Sequence, residues 1–227
     1  MGTVQSRLRH NRSLAGPCVS GFEGEKLKYA SGPVLLLIDV QRGFQSPVWG
    51  ARNNQDAEQN IGALLSCWRK CNLPVIHVQH LSLDPASPLR HGQPGVEFHS
   101  LASPAGGEIV IQKHVNSAFI GTKLDSILHQ NNWQKLVVAG LTTDHCVSTT
   151  TRMASNLGFT VTVVADGTAT FNRQGPRGEN FPADLVHSVA LASLNQEFAK
   201  IQLADSLLRL IQMPSCGLRD NIPHLGK

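Results

Sequence analysis

The sequence is poor in aromatic residues, 5% of 227, and in charge, 16%, and nowhere does it string together a long apolar run. Its apolar blocks, such as Val34–Ile38, fall far short of the roughly 18 consecutive residues that a membrane span requires. No stretch interleaves aromatic and basic side chains, which argues against a nucleic-acid surface. Residues 1–22 lack any acidic residue but hold Arg7, Arg9 and Arg12, so three of the four net positive charges sit there. The other 17 basic and 16 acidic residues leave the remainder nearly neutral.

Cysteine is sparse and irregular. The five residues are Cys18, Cys67, Cys71, Cys146 and Cys216. An odd number without a signal-peptide apolar region excludes a secreted disulfide scaffold and points to a reducing, cytoplasmic setting. No paired Cys-x-x-Cys elements argue for zinc or for a thiol redox pair. Cys67 and Cys71 lie one helical turn apart among apolar residues, as buried structural thiols do. There is no internal repeat.

The length suits one domain and an extension. Residues 1–32 are polar, without sustained periodicity, and read as a basic, flexible N-terminal extension; 33–227 read as a single domain. Met1-Gly2 with Ser6 formally fits a myristoylation signal, and the unopposed arginines a mitochondrial presequence, but a loosely draped tail is the simpler reading.

Along the domain, Val34–Ile38 is a continuous apolar run ending in Asp39, the pattern of a parallel strand buried on both faces. Ile61, Leu64, Leu65 and Trp68 mark a helix over 56–71, and 75–78 the next strand. Residues 81–107 are rich in Pro, Gly and Ser; a loop of that length points to a functional role. Residues 108–111 form a third strand ending near Lys113, and Thr122 with Asp125 resembles a capping box. A fourth strand, 136–139, runs into Gly140-Leu141-Thr142-Thr143-Asp144-His145-Cys146 and a helix over 144–157, which Gly158 ends. The fifth strand is 160–164, followed by a loop over 166–181, a helix over 183–197, an edge strand near 199–203 and a last helix near 204–211. Such alternation gives an α/β fold in three layers: a doubly wound, mostly parallel six-stranded sheet with helices on both faces. Ligands bind beyond the carboxyl ends of its strands.

Asp39 and Lys113 follow two of those strands. Alone, Asp39 reads equally as a turn former, Lys113 as a solvated surface cation and Cys146 as an inert buried thiol. Together they change the balance. Cys146 falls in the first turn of a helix, where unpaired backbone N–H groups favour negative charge, lower a thiol pKa and can hold an oxyanion. A thiol, a carboxylate able to take its proton and an ammonium to keep that carboxylate charged form a coherent set. His145 adjoins Cys146, but neighbouring helix residues face different directions, so it reads as structural or pocket-lining rather than as a base.

These residues lie in LLLIDVQRGF, VIQKHVNSAF and VVAGLTTDHCVSTTTRMASNLGF, in an order and at spacings that resemble the isochorismatase-like cysteine hydrolase family. That family includes nicotinamidases, N-carbamoylsarcosine amidohydrolases and streptothricin hydrolases, and the likeness covers about residues 33–212. The resemblance implies a catalytic triad of Asp39, Lys113 and Cys146, a cis peptide between Leu141 and Thr142, an oxyanion hole of the Thr142 and Cys146 amides, and a homo-oligomer. The implied reaction is hydrolysis of a small-molecule amide, lactam or ureido C–N bond through a thioacyl-enzyme. Phe44, Trp49 and Phe119 are candidate pocket walls, with core packing an equal reading for Phe44 and Phe119; Gln41 and Asn116 are candidate polar contacts. The later stretch FPADLVHSVALASLNQEFA looks closest to the streptothricin-hydrolase-like branch.

Nicotinamidases of this family place an Asp-x-His and a further histidine after the second strand to bind a metal. Here the stretch reads HVQHLSLDPASPLRHG, and His77, His80, Asp84 and His91 lack that spacing, so neither a metal nor another cofactor is expected. The competing readings are an isochorismatase-type vinyl ether hydrolase, which depends less on Cys146, and a non-catalytic small-molecule-binding protein on the same fold.

Overall fold

The computed structural model describes residues 32–212. The readings for residues 1–31, and those of Cys18 and Cys216, lie outside the described residues. In chain order the elements are β1 (Val34–Ile38), α1 (Ala57–Lys70), β2 (Val75–His80), β3 (Ile109–Lys113), α2 (Leu124–Gln130) and β4 (Lys135–Leu141). A π-helical turn (Thr143–Val147) then leads into α3 (Ser148–Asn156), β5 (Thr160–Ala169), β6 (Arg173–Gln174), β7 (Asn180–Phe181), α4 (Ala183–Leu194), β8 (Lys200–Gln202) and α5 (Ala204–Gln212).

Six strands form one sheet in the order β3-β2-β1-β4-β5-β8, parallel at every pairing. All five residues of β1 are buried, which suits a strand with neighbours on both edges and helices on both faces. Removing each such side chain from water contributes about 1.5–3 kcal/mol, so this short run anchors both layers. Leu35 and Leu37 pack with Ile61, Leu64, Leu65 and Trp68 of α1 and with Ala204 and Leu207 of α5. Val34, Leu36 and Ile38 face the opposite layer, with Leu124 and Leu128 of α2, Ala154 of α3 and Leu194 of α4. The alternation of side chains along a strand produces this division.

The chain runs from β1 outward through β2 to β3, then returns to the other side of β1 as β4. The carboxyl ends of β1 and β4 therefore flank the point where the winding reverses, and a crevice opens there in such sheets.

Several elements differ from the sequence reading. β2 extends to His80 and β3 to Lys113, because their last residues still pair, His80 with Lys113. β5 runs to Ala169 rather than stopping at Val164; residues between Val163 and Thr168 bulge out of the ladder with β4 and rejoin it. The stretch read as a loop over 166–181 thus holds the end of β5 and the antiparallel pair β6–β7. α4 ends at Leu194, three residues early. No capping box forms at α2: the Thr122 hydroxyl accepts from the Leu124 amide, and the helix begins only at Leu124. Residues 81–107 are held by short helical turns at Pro94–Val96 and Ser100–Ala102 and by bridges such as Gln41 to Phe98.

Candidate active site

Three strand ends supply the site. Asp39 follows β1, and its backbone there is left-handed, φ 53°. Strand alternation alone would send residue 39 to the layer of Leu35 and Leu37; the left-handed residue takes the chain out of that pattern. Lys113 ends β3 on the same face as Ile111. Cys146 sits in the π-helical turn after β4 and packs in the same layer as Ile111. Gly140, in β4, has φ 129°, and a Cβ there would stand 2.0 Å from the Ile38 carbonyl oxygen, so only glycine lets β4 pass β1 this closely. The peptide between Leu141 and Thr142 is cis, as the family resemblance implies.

Lys113 Nζ donates to Asp39 Oδ2 at 2.6 Å, lies 3.3 Å from Cys146 Sγ and 3.1 Å from His80 Nδ1. The three donor positions of an ammonium thus match three acceptors. Asp39 is 0%, Lys113 1% and Cys146 7% exposed. Asp39 Oδ1 is buried with no hydrogen-bond partner. A carboxylate oxygen of Asp39, a ring nitrogen of His80 and Sγ all lie within 4.8 Å of one another.

The electrostatics depart from the low-pKa thiol that a helix N-terminus suggests. Burial, and then the negative charge of Asp39, push the Cys146 thiol well above its ordinary range, against the opposing pull of Lys113. Burial also raises Asp39, while the charge and hydrogen bond of Lys113 hold it down. The thiol proton therefore rests on sulfur, beside a carboxyl group whose hold on a proton is raised by burial and moderated by Lys113. Burial and then Lys113 lower His80 to about 4, so it is neutral at physiological pH, with Nδ1 free of a proton and able to accept from Nζ.

The sequence singled out His80 only as a candidate metal ligand. Its place beside Lys113 follows from the β2–β3 register, which the shorter strands read from sequence did not reach. Gln41 is buried, and its side-chain amide is occupied: Nε2 donates to the His80 and Val96 carbonyls and Oε1 accepts from the His80 amide. It staples the ends of β1 and β2 and holds the backbone of His80. Phe44, Trp49 and Phe171 form a three-ring cluster with centroids 5.4–6.3 Å apart. Leu141 packs in the same cluster, which brings it against the end of β4. Phe119 packs in the core and stacks on Phe159. Asn116 is exposed, with Oδ1 3.7 Å from Sγ, so it borders the thiol from the solvent side. His145 is more than half exposed and lies 3.5 Å from Asp144. A cleft of about 470 Å³ lies nearby, with Phe44, Phe171, Arg52 and Glu58 in its wall; the three buried residues of the site do not line it.

His77, His80, Asp84 and His91 do not converge. His77 lies under Glu108, at 2.8 Å, while Asp84 and His91 are exposed. Among the described residues, one group has donor atoms close enough for a metal ion: Asp39, His80 and Cys146. Lys113 Nζ already stands within hydrogen-bonding reach of all three, so a metal ion would compete with an ammonium for the same donors.

Residues 33–206 match the Isochorismatase domain family model. The chain is 41% identical over 174 residues to the isochorismatase family protein YrdC of Bacillus subtilis, covering 77% of this chain and 93% of that protein. It is 27% identical over 163 residues to the maleamate amidohydrolase of Pseudomonas putida, covering 64% and 76% of the two chains. A crystal structure of an isochorismatase-family hydrolase from Chromobacterium violaceum superposes with a TM-score of 0.77 at 43% identity, over 83% of this chain and 98% of the other. On these grounds the chain belongs to the isochorismatase family of hydrolases.

Proposed function

We propose that the protein hydrolyses a C–N bond of a small-molecule amide, lactam or ureido compound, with Asp39, Lys113 and Cys146 as catalytic triad. The observation that carries this reading is the buried ammonium of Lys113 in reach of both the Asp39 carboxylate and the Cys146 sulfur. A sequestered acid–base pair beside a thiol has a clear chemical use and a substantial desolvation cost without one.

In this mechanism Asp39 takes the thiol proton as sulfur attacks the substrate carbonyl. The unpartnered Oδ1 is the open acceptor. The tetrahedral oxyanion lies against the Thr142 and Cys146 amides. Asp39 then gives its proton to the departing nitrogen, leaving a thioacyl-enzyme, and next activates water to release the acid. No histidine is needed. Asn116, beside sulfur, and the Phe44–Trp49 wall are the proposed substrate contacts; Gln41, bonded to the His80 and Val96 backbone, and Phe119, stacked on Phe159, take structural parts instead. A maleamate amidohydrolase among the relatives is consistent with amide chemistry. We further propose a cytoplasmic homo-oligomer: Cys71 and Cys146 are free thiols, and α4 exposes Leu185 and Val189.

Ammonia or amine release from a panel of small amides, ureido compounds and lactams tests the reading, with wild type and Cys146→Ala run side by side. Turnover that Cys146→Ala lowers by at least about 10³-fold supports it, because loss of a covalent nucleophile removes the whole pathway. Isochorismate turnover by both proteins, without amine release, would move the assignment to ether hydrolysis.

A further inference from the structure

The turn that carries Cys146 is tied down residue by residue. The Thr142 hydroxyl lies 3.3 Å from Arg173 Nη2. The Thr143 hydroxyl lies 2.9 Å from His187 Nδ1 on α4. Asp144 accepts from Arg173 Nε at 2.7 Å and Nη2 at 3.1 Å, and from the Thr170 hydroxyl at 2.5 Å. Arg173 Nη2 also reaches the Thr170 hydroxyl, at 3.2 Å. Three consecutive side chains are thus anchored to the end of β5, to β6 and to α4.

Arg173 is the centre of this arrangement. It stands on β6, in the segment read as a loop, and touches neither Cys146 nor Asp39. Its guanidinium grips both oxygens of Asp144, a geometry that fixes orientation as well as distance. Through Thr142 and Asp144 it holds two of the four residues that precede the nucleophile. Burial opposes the Asp144 charge, but the Arg173 and Thr170 hydrogen bonds keep it low, so this pair is formed at neutral pH.

We propose that Arg173 is a positioning residue that fixes the Thr142–Cys146 turn so that its two amides face a developing oxyanion. The inference rests on the proposed thioacyl mechanism. It separates two properties of Cys146. Alkylation of sulfur by iodoacetamide develops no oxyanion at the turn and needs only the thiol and its base. Acylation by p-nitrophenyl acetate passes through a tetrahedral oxyanion: the S–C bond forms, the C–O bond to p-nitrophenolate breaks, and the thiol proton passes to Asp39.

Both rates are measured at Cys146, with Cys146→Ala subtracting reaction at other thiols, in wild type, Arg173→Met and Arg173→Lys. The expected result for Arg173→Met is acylation slowed on the order of 10- to 100-fold, as when one oriented oxyanion donor is weakened, with alkylation within about threefold of wild type. Arg173→Lys, which keeps charge but not the fork, should recover only part of the loss. Equal slowing of both reactions would make Arg173 a general support of the fold and overturn the inference, as would no slowing of either. A wild-type Cys146 that alkylates but cannot be acylated would sink the thioacyl mechanism itself.

Discussion

Replacing Lys113 by Met tests the balance on which the site depends. The change keeps a long apolar stem and removes the ammonium that donates to Asp39 at 2.6 Å. Removing one partner of a buried pair costs about 3–5 kcal/mol when the other stays charged. Asp39 can escape part of that cost by taking up a proton. Its carboxyl is already raised by burial, and Lys113 supplies the main causes that lower it, so the variant raises it further. The sign follows from proton linkage. Below the unfolded-state value, 3.8, Asp39 is protonated in both states and the loss is smallest. Above it the unfolded chain releases a proton that the folded variant keeps, so stability falls by about 1.4 kcal/mol per pH unit until the folded group ionises. Urea unfolding of wild type and variant at about pH 5 and pH 8 reads this directly, with a larger deficit expected at the higher pH. At about pH 8 the deficit should approach 3–5 kcal/mol, on the order of 10 °C in Tm for a domain of this size. Activity should fall by about 10²–10⁴-fold, because a protonated Asp39 cannot accept the thiol proton. The same deficit at both pH values would refute the argument, since it would show that Asp39 does not respond to loss of its partner.

Two other changes probe the frame around the triad. Gly140→Ala places a Cβ 2.0 Å from the Ile38 carbonyl oxygen at a backbone angle unsuited to alanine, so a loss of about 3 kcal/mol or more is expected in urea unfolding. His80→Asn keeps an acceptor for Lys113 but removes the titration near 4. Because the folded value lies below the unfolded one, 6.5, His80 costs the wild type stability as pH falls from about 6.5 to about 4, on the order of 2 kcal/mol after allowance for its partial exposure. The variant should show a shallower loss of stability over that window, and an unchanged slope would remove His80 from the account.

Much of this arrangement was legible in the residues. An unbroken apolar run such as Val34–Ile38 has few ways to be buried except as a central strand, and a residue just past such a strand lies at the ligand-binding end. Asp39, Lys113 and Cys146 could therefore be placed at one end of the sheet by topology. What the sequence did not reveal depends on register and on long-range pairing. His80 reaches Lys113 because β2 and β3 stay paired to their last residues, one step beyond the apolar pattern. Arg173 lies beyond a bulge in β5 that returns the strand to its neighbour after Gly167, where local periodicity carries no signal. Gln41 has the polarity of a ligand-binding residue, yet three backbone partners that lie 39 and 55 positions away use its amide group. The raised thiol of Cys146 also had no local marker: the helix N-terminus favours a thiolate, but full burial beside a carboxylate outweighs it.

That last result bears on how such a site can work. A base that must take a proton from a thiol and then return it to a leaving nitrogen serves poorly at either extreme. A solvated carboxylate near its ordinary value binds the proton too weakly, and a carboxyl buried without a cation would be neutral at rest and unable to accept it. In this protein the two effects oppose each other on the same atom group: burial makes Asp39 more basic, and the charge and hydrogen bond of Lys113 offset part of that rise. The resting site is then a neutral thiol, a neutral imidazole and the hydrogen-bonded Asp39–Lys113 pair. In the proposed reaction negative charge develops on the substrate oxygen as sulfur attacks, against the Thr142 and Cys146 amides. A thiol of this kind holds little thiolate at rest and reacts as Asp39 takes its proton, so a seated acyl substrate gains from the oriented amides what a small alkylating reagent does not.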